Sequence, residues 1–302
     1  MGVKTFEDYY NRLLKMKPNV YIDGEKVGRD DERLRAGINV IKETYDRAND
    51  PEYEDLCTAI SHLTGEKINR FTHIHQSKED LLKKQMMTRV LCHRTGGCIQ
   101  RCMGIDAMNA LSVVTYEMDQ ALGTDYYRRF EKYLRYFQEN DITANCAQTD
   151  CKGHRLRRPH EQADPDLYLR IVETRKDGII VRGAKVCNTV APYSDEIIAL
   201  PTRFMTDKDS EYAVAFAIPA DTDGVKLLTR PAYPHRRKKL DAPIAHMGDA
   251  ESFTIFDDVF VPWDRVFLCR ENKYATLAAY LFALYHRHSY TCLLYTSPSP
   301  RD

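Results

Sequence analysis

Cys98 and Cys102, in Gly96-Gly97-Cys98-Ile99-Gln100-Arg101-Cys102, are the residues of this chain whose type and spacing best suit chemistry. Side chains four apart on a helix are neighbours on one face, so both sulfurs would reach one metal ion or cluster. Thiolates are the natural ligands of iron–sulfur clusters. Zinc competes, but structural zinc sites favour closely paired C-x2-C or H-x3-H motifs, and no second pair lies near. Two packed cysteines on a core face fit the spacing equally well, so spacing alone leaves these alternatives open. The chain holds nine cysteines: Cys57, Cys92, Cys98, Cys102, Cys146, Cys151, Cys187, Cys269 and Cys292. In a reducing compartment grouped cysteines do metal or redox work, while scattered ones such as Cys57, Cys92 and Cys269 pack as small apolar residues. A second group of reactive types is Tyr285-His286-Arg287-His288-Ser289-Tyr290. There His286 and Tyr290 share a helix face and His288 points elsewhere, although a helix histidine by itself reads as a packed or surface residue.

The elements that must position these groups change character along the chain. Over 302 residues, 44 Lys+Arg balance 44 Asp+Glu, and the zero net charge speaks against a nucleic-acid partner. Apolar residues make up 43%, an ordinary soluble profile. No apolar run approaches the roughly 18 residues of a membrane span. The start, Met1 to Phe6, runs into charged residues rather than a secretory signal, and Phe6 stands where a myristoylation motif needs Ser or Thr. A cytoplasmic protein without a membrane partner is expected. Arg236-Arg237-Lys238-Lys239, between Pro234 and Pro243, reads as a solvated loop.

Residues 1–143 read as a helical domain. Thr5 caps a first helix with Tyr9, Leu13 and Leu14 on one face, and Leu34, Ile38, Ile41 and Tyr45 recur at helical spacing. Ser77 with Asp80 predicts a capping box opening one long helical segment that runs past Gly96-Gly97 to Leu122. Another helix covers Tyr126 to Glu139. From 144 to 270 the period is that of strands: Leu167 to Val172 and Ile179 to Arg182 flank an Asp177-Gly178 turn, with further strands at Tyr212 to Ile218 and Ser252 to Phe256. Residues 271–291 return to helix, with Leu277, Tyr280, Leu281, Leu284 and His288 at helical intervals. From Cys292 the string Cys-Leu-Leu-Tyr-Thr-Ser-Pro-Ser-Pro-Arg-Asp breaks the pattern and resembles a translated sequencing-library adapter. Residues 292–302 are therefore set aside from fold reasoning, and the natural sequence is expected to run on beyond Thr291.

The chain resembles the flavin-dependent 4-hydroxyphenylacetate 3-monooxygenase family, and within it the dehydratase branch that acts on 4-hydroxybutyryl-CoA. The likeness covers nearly all of residues 5–290. It includes Lys67-Ile68-Asn69-Arg70-Phe71, Cys98 to Asn109, Gln138-Glu139-Asn140-Asp141, Asp164 to Glu173, Asp177 to Lys185, and Phe256 to Pro262. The cysteine pair with the Tyr-His-Arg-x-Ser-Tyr segment is similar to the dehydratase branch, whereas the monooxygenases share the fold without a cluster.

The resemblance implies an α+β multidomain fold of acyl-CoA-dehydrogenase-like architecture: a helical domain, a β-barrel-like middle domain, and the start of a C-terminal helical bundle. It implies FAD and a [4Fe–4S] cluster, with Cys98, Cys102 and His286 as metal ligands. A fourth ligand, a cysteine shortly after the tyrosine and followed by lysine, has no match: Cys292 comes one position too early and lies in the set-aside tail. Implied catalytic residues are His286, also a candidate base, Tyr290 beside the leaving hydroxyl, and Glu251 in Gly248-Asp249-Ala250-Glu251. Gln148, Thr149 and Lys152, then Asn188 and Thr189, match flavin-contacting segments, with Cys151 and His154 standing where relatives often carry Pro and Asp. No Gly-rich dinucleotide fingerprint is present. The implied reaction turns 4-hydroxybutyryl-CoA into crotonyl-CoA, with vinylacetyl-CoA isomerisation. The acidic C2 proton leaves first, one electron passes to the flavin, the C3 hydrogen becomes acidic, and iron assists departure of the hydroxyl. An acyl-CoA substrate and a homotetramer belong to this expectation. So does an inactive protein wherever the C-terminal bundle is missing. An aromatic hydroxylase without the cluster, or a metal-binding protein without catalysis, are the competing readings.

Overall fold

The computed structural model describes residues 2–232 and 246–296, with side chains through Arg287. The basic run Arg236–Lys239 and the side chains of His288, Tyr290 and Cys292 lie outside the described residues. Helix α1 (Phe6–Leu14) opens on a capping box in which the Thr5 hydroxyl accepts from the Asp8 amide and Asp8 accepts from the Thr5 amide. Strands β1 (Val20–Ile22) and β2 (Glu25–Val27) follow, then α2 (Arg35–Ala48), α3 (Glu54–Cys57), β3 (Thr58–Ile60) and β4 (Lys67–Asn69). The first 143 residues are thus not purely helical. Asp23 and Gly24 both take positive φ (52° and 86°), the signature of a tight hairpin turn between β1 and β2.

Ser77 and Asp80 make the predicted capping box at the start of α4 (Lys78–Thr95). The single long helix expected from there to Leu122 is broken. Gly96 takes the left-handed conformation at φ 68° and closes α4, because only glycine enters that region without a Cβ penalty. The chain restarts as α5 (Cys102–Leu122), followed by α6 (Tyr126–Glu139). Next come β5 (Ala144–Ala147), β6 (Arg170–Thr174), β7 (Gly178–Thr189), β8 (Glu196–Ala199), β9 (Val214–Pro219), β10 (Val225–Arg230), β11 (Glu251–Pro262) and β12 (Val266–Cys269). Helix α7 (Asn272–Thr296) ends the described chain. It extends through Cys292 to Thr296 instead of stopping at 291, since no proline intervenes before Pro298. Its buried face is Ala275, Ala278, Phe282 and His286, while Tyr280 and Leu284, placed on the apolar face by spacing, are exposed. Leu277 and Leu281 of the expected stripe are partly buried and pack against the core.

The strands form a six-stranded sheet in the order β2-β1-β10-β11-β7-β6 and a four-stranded sheet in the order β12-β9-β8-β5. The N-terminal hairpin joins the first sheet through parallel pairing of β1 with β10. One continuous apolar core runs from Tyr9 and Leu13 through α5 to Phe216, Phe256 and Phe267.

Arg101, 1% exposed, sits between the two cysteines and fixes the loop they share. Its guanidinium ion-pairs with Asp141, donates to the carbonyls of Asp141 (3.0 Å) and Ile142 (3.2 Å), and lies over the Tyr45 ring at 4.3 Å. Removing one member of a buried pair strands the other charge, which costs about 3–5 kcal/mol. Arg101→Met is therefore expected to lower the unfolding free energy by about that amount in urea titrations, with Arg101→Met/Asp141→Asn recovering part of the loss. Single and double variants of equal stability would show that the pair is not coupled.

Candidate functional site

The break after α4 places the two cysteines differently from the helical expectation. Cys98 lies in the loop, half-buried, where its Sγ accepts from the Gln100 amide (3.3 Å), and Gln100 itself has φ 63°. Cys102 is the first residue of α5 and 1% exposed. The Cys102 thiol stands well above its ordinary range, held there by the neighbouring Cys98 and by burial. His286 arrives on α7 from the far end of the sequence, 6% exposed and stacked on Phe282 with ring centroids 5.4 Å apart. Ligand atoms of Cys102, Asp106 and His286 lie within 4.8 Å of one another, all buried. His286 Nδ1 is 2.8 Å from Asp106 Oδ2, and the other Asp106 oxygen ion-pairs with the buried Lys84. Burial pulls the His286 pKa down, but the Asp106 contact and the neighbouring Cys102 outweigh it and leave it raised. Soft sulfur and imidazole donors converging at one buried point form a set that fits iron.

The cysteine loop is bonded directly to the second part of the site. Gln100 accepts from the Tyr193 hydroxyl (2.5 Å) and donates to the Gly248 carbonyl (2.9 Å). The Tyr193 oxygen in turn accepts from the Ala250 amide (3.1 Å). The next residue, Glu251, starts β11 opposite Thr189, the last residue of β7, and its Oε1 accepts from the Thr189 hydroxyl (2.6 Å). Burial raises the Glu251 pKa despite that bond, with Asp249 adding to the rise. The structure thus brings Cys102 and His286 to one point with Asp106, leaves Cys98 beside Cys102 in the preceding loop, and pairs Glu251 with Thr189 at the end of a hydrogen-bond chain through Gln100 and Tyr193.

Gln148 and Thr149 lie half-buried in the segment that follows β5. Lys185 Nζ donates to the carbonyls of Gln148 and Leu200 and to Asp150 Oδ1, each at 2.8 Å, while the Val186 amide donates to the Thr149 carbonyl (2.8 Å). This buried Lys185–Asp150 pair welds the segment onto β7. Burial raises the Asp150 pKa and Lys185 opposes the rise. Asn188 is buried and its Oδ1 finds no partner, as do Asn145 Oδ1, Thr254 Oγ1 and Glu251 Oε2. Orphaned buried acceptors and a hydroxyl concentrated on β5, β7 and β11 suit a ligand with a polar edge, as a flavin ring has. The Lys152 side chain is exposed. Sequence reasoning missed Lys84, Asp106, Gln100, Tyr193 and Lys185. Only Asp106, one helical turn after Cys102, left a readable signal.

A family model described as 4-hydroxyphenylacetate 3-hydroxylase, N-terminal, matches residues 5–268. The chain belongs to that hydroxylase family. Within it the chain is 46% identical over 293 residues to the 4-hydroxybutyryl-CoA dehydratase/vinylacetyl-CoA-Δ-isomerase of Clostridium aminobutyricum, covering 95% of this chain and 60% of that protein. It is 30% identical over 281 residues to the oxygenase component of a Geobacillus 4-hydroxyphenylacetate 3-monooxygenase, covering 90% and 56%. An oxygen-tolerant archaeal 4-hydroxybutyryl-CoA dehydratase from N. maritimus superposes with a TM-score of 0.91 at 40% identity, over 96% of this chain and 59% of that one. The oxygenase component of 4-hydroxyphenylacetate 3-monooxygenase complexed with FAD superposes at 0.83 with 24% identity, over 97% and 61%, a likeness of fold. The chain spans about 60% of the length of these relatives. No described helix is long and apolar enough to cross a membrane.

His75 gives this family member an acid-side liability next to the site. Its two ring nitrogens are buried without hydrogen-bond partners, and its ring lies 6.0 Å from Tyr285. Burial, helped by the Lys84 charge, drops its pKa to about 3. The unfolded chain takes up this proton near pH 6.5 and the folded one near 3. Stability from this group is therefore complete above pH 6.5 and falls as the pH drops towards 3, by up to about 1.4 kcal/mol per pH unit. Urea midpoints of His75→Gln should fall less steeply than wild type between pH 6.5 and 4. Equal slopes would refute the assignment.

Proposed function

We propose that the chain forms the FAD and [4Fe–4S] portion of a dehydratase converting 4-hydroxybutyryl-CoA to crotonyl-CoA, with vinylacetyl-CoA isomerisation. The observation that carries this reading is the convergence of Cys102 and His286 at one buried point, with Cys98 in the loop just before Cys102. A 46% identity to a protein of that name supports it. Cys98, Cys102 and His286 would hold the cluster, and the segment around Gln148 and Thr149 with Asn188 and Thr189 would face the flavin. When bound, the flavin supplies one-electron redox capacity and the cluster a Lewis-acidic iron.

The conversion removes one proton from C2 and one from C3, expels the C4 hydroxyl as water and returns a proton to C4. The thioester acidifies C2 only, so the site needs proton carriers at more than one carbon. Glu251 suits such a role: burial favours its protonated form, and Thr189 holds one of its oxygens so that the other, Oε2, is open to a substrate. His286 would be the second carrier, acting as a base only while its Nε2 is not held by the metal. Tyr290, one helical turn further along α7, is the hydroxyl for the leaving group. Burial of Cys102 and Asp106 on α5 and of His286 on α7 would keep water from that side of the reacting carbons. The acyl-CoA substrate and a homotetrameric assembly belong to the same proposal.

Anaerobic expression followed by assay of iron, sulfide and flavin tests it. About four irons per chain with FAD are expected, together with loss of iron but not of flavin in Cys98→Ala and Cys102→Ala. Crotonyl-CoA should form from 4-hydroxybutyryl-CoA only in cluster-loaded protein. Flavin without iron in the wild type would overturn the cluster assignment and leave an FAD-dependent aromatic hydroxylase as the reading.

A further inference from the structure

We propose that Asp106 and Lys84 are positioning residues for the metal centre: Asp106 accepts the Nδ1–H of His286 and so presents Nε2 to iron, while Lys84 holds Asp106 in place. This inference rests on the metal reading above.

The three groups come from three helices, Lys84 on α4, Asp106 on α5 and His286 on α7, and their exposures are 1%, 0% and 6%. Each Asp106 oxygen has its own contact: Oδ2 meets His286 Nδ1 at 2.8 Å and Oδ1 the Lys84 ammonium. A carboxylate on one ring nitrogen fixes the proton there and leaves the opposite nitrogen as the metal donor. Phe282, stacked within 15° of parallel on the imidazole, restricts its rotation. Asp106 also lies one turn beyond Cys102, so ligand and orienting carboxylate ride on the same rigid segment of α5.

The competing arrangement makes Asp106 itself a ligand, since its oxygens come within 4.8 Å of the Cys102 and His286 donors. Charge decides against it. Both Asp106 oxygens already face a partner, and a metal drawn to either would compete with the buried Lys84 ammonium for the same negative charge. Held as it is, the Lys84–Asp106 pair contributes no net charge, and the imidazole meets iron as a neutral donor, weaker and more exchangeable than a thiolate.

Two measurements on the 302-residue chain test this. First, nitrogen NMR of metal-free protein labelled at histidine, at a pH where His286 is neutral, should show the proton on Nδ1. Asp106→Ala should lose that preference and Asp106→Asn, whose amide oxygen still accepts, should keep it. Second, Co(II) serves as a probe through its thiolate absorption. Asp106→Ala should bind Co(II) about 10- to 100-fold more weakly, yet at saturation give the wild-type spectrum, because the ligand set is intact. A proton on Nε2 in the wild type, or undiminished Co(II) affinity in Asp106→Ala, overturns the proposal. So does a saturated spectrum that changes in both Asp106 variants, which would make the carboxylate a ligand. Wild-type protein that takes up no Co(II) would sink the metal reading itself, and the NMR result would still decide the tautomer.

Discussion

The buried hub around Asp141 and Asp195 is the constraint on which the rest of the structure depends. The Asp195 carboxylate receives both Nε and NH2 of Arg12 from α1 (2.9 and 3.0 Å) and the Thr143 amide (2.9 Å). The Asp141 carbonyl receives Tyr45 from α2 (2.7 Å) and Arg101 from the cysteine loop (3.0 Å). Tyr9 adds a bond to the Tyr193 carbonyl (2.5 Å). Helices from the first fifty residues, the loop before α5 and the entry to β5 and β8 are thereby held to one small group of charges and carbonyls. Buried charges are tolerated because each is matched, and mismatching one is costly. The Cys98 position follows from this hub, since Arg101 cannot move without dragging the loop.

From the hub outward, the two sheets carry the remaining side chains. Thr189 and Glu251 are cross-strand neighbours because β7 and β11 pair antiparallel, and register shifts at Ser252/Thr254 bring the end of β11 into line with the Tyr193 turn. A bulge that re-aims a strand end is a common device beside functional sites. The flavin-facing segment gains its position otherwise, through Lys185, whose ammonium is shared among two carbonyls and Asp150. An extended loop would carry unpaired backbone groups if buried. Lys185 and the Val186 amide satisfy them.

Much of this was legible in the sequence and the rest was not, for physical reasons. The helical and strand regions, the N-cap at Thr5 and the capping box at Ser77 are local signals, and local signals survive without tertiary information; the β6–β7 hairpin was legible too, but its turn falls before Gly178, which already belongs to β7. The β1–β2 hairpin carried the same Asp-Gly signal at residues 23 and 24 but sat among helical periods, which hid it. The stop at Gly96 was written in a glycine pair that apolar periodicity on both sides overrode. Cys98, Cys102 and His286 were recognisable by type, but the meeting of Cys102 with His286 spans more than 180 residues and no spacing rule reaches so far. Lys84 and Lys185 were illegible altogether, since a lysine in a sequence reads as surface until its partner is seen.

The two carboxylates nearest the convergence show how one site can separate holding from reacting. Asp106 has an ammonium on one oxygen and an imidazole on the other, so its charge is neutralised within the protein and has nothing left to offer a substrate. Glu251 has only the Thr189 hydroxyl on one oxygen, while burial raises its pKa and its second oxygen is unsatisfied. A paired carboxylate resists protonation and orients its neighbours. A lone, half-buried one gains or loses a proton at modest cost and seeks a partner. The carboxylate free to carry a proton therefore stands on the β7–β11 side, at Glu251, and the one that holds its neighbours on the α4–α5–α7 side, at Asp106. Gln100 and Tyr193 join the two, donating and accepting across the gap, so that the distance between the metal-binding point and the proton carrier is set by hydrogen bonds within a packed core.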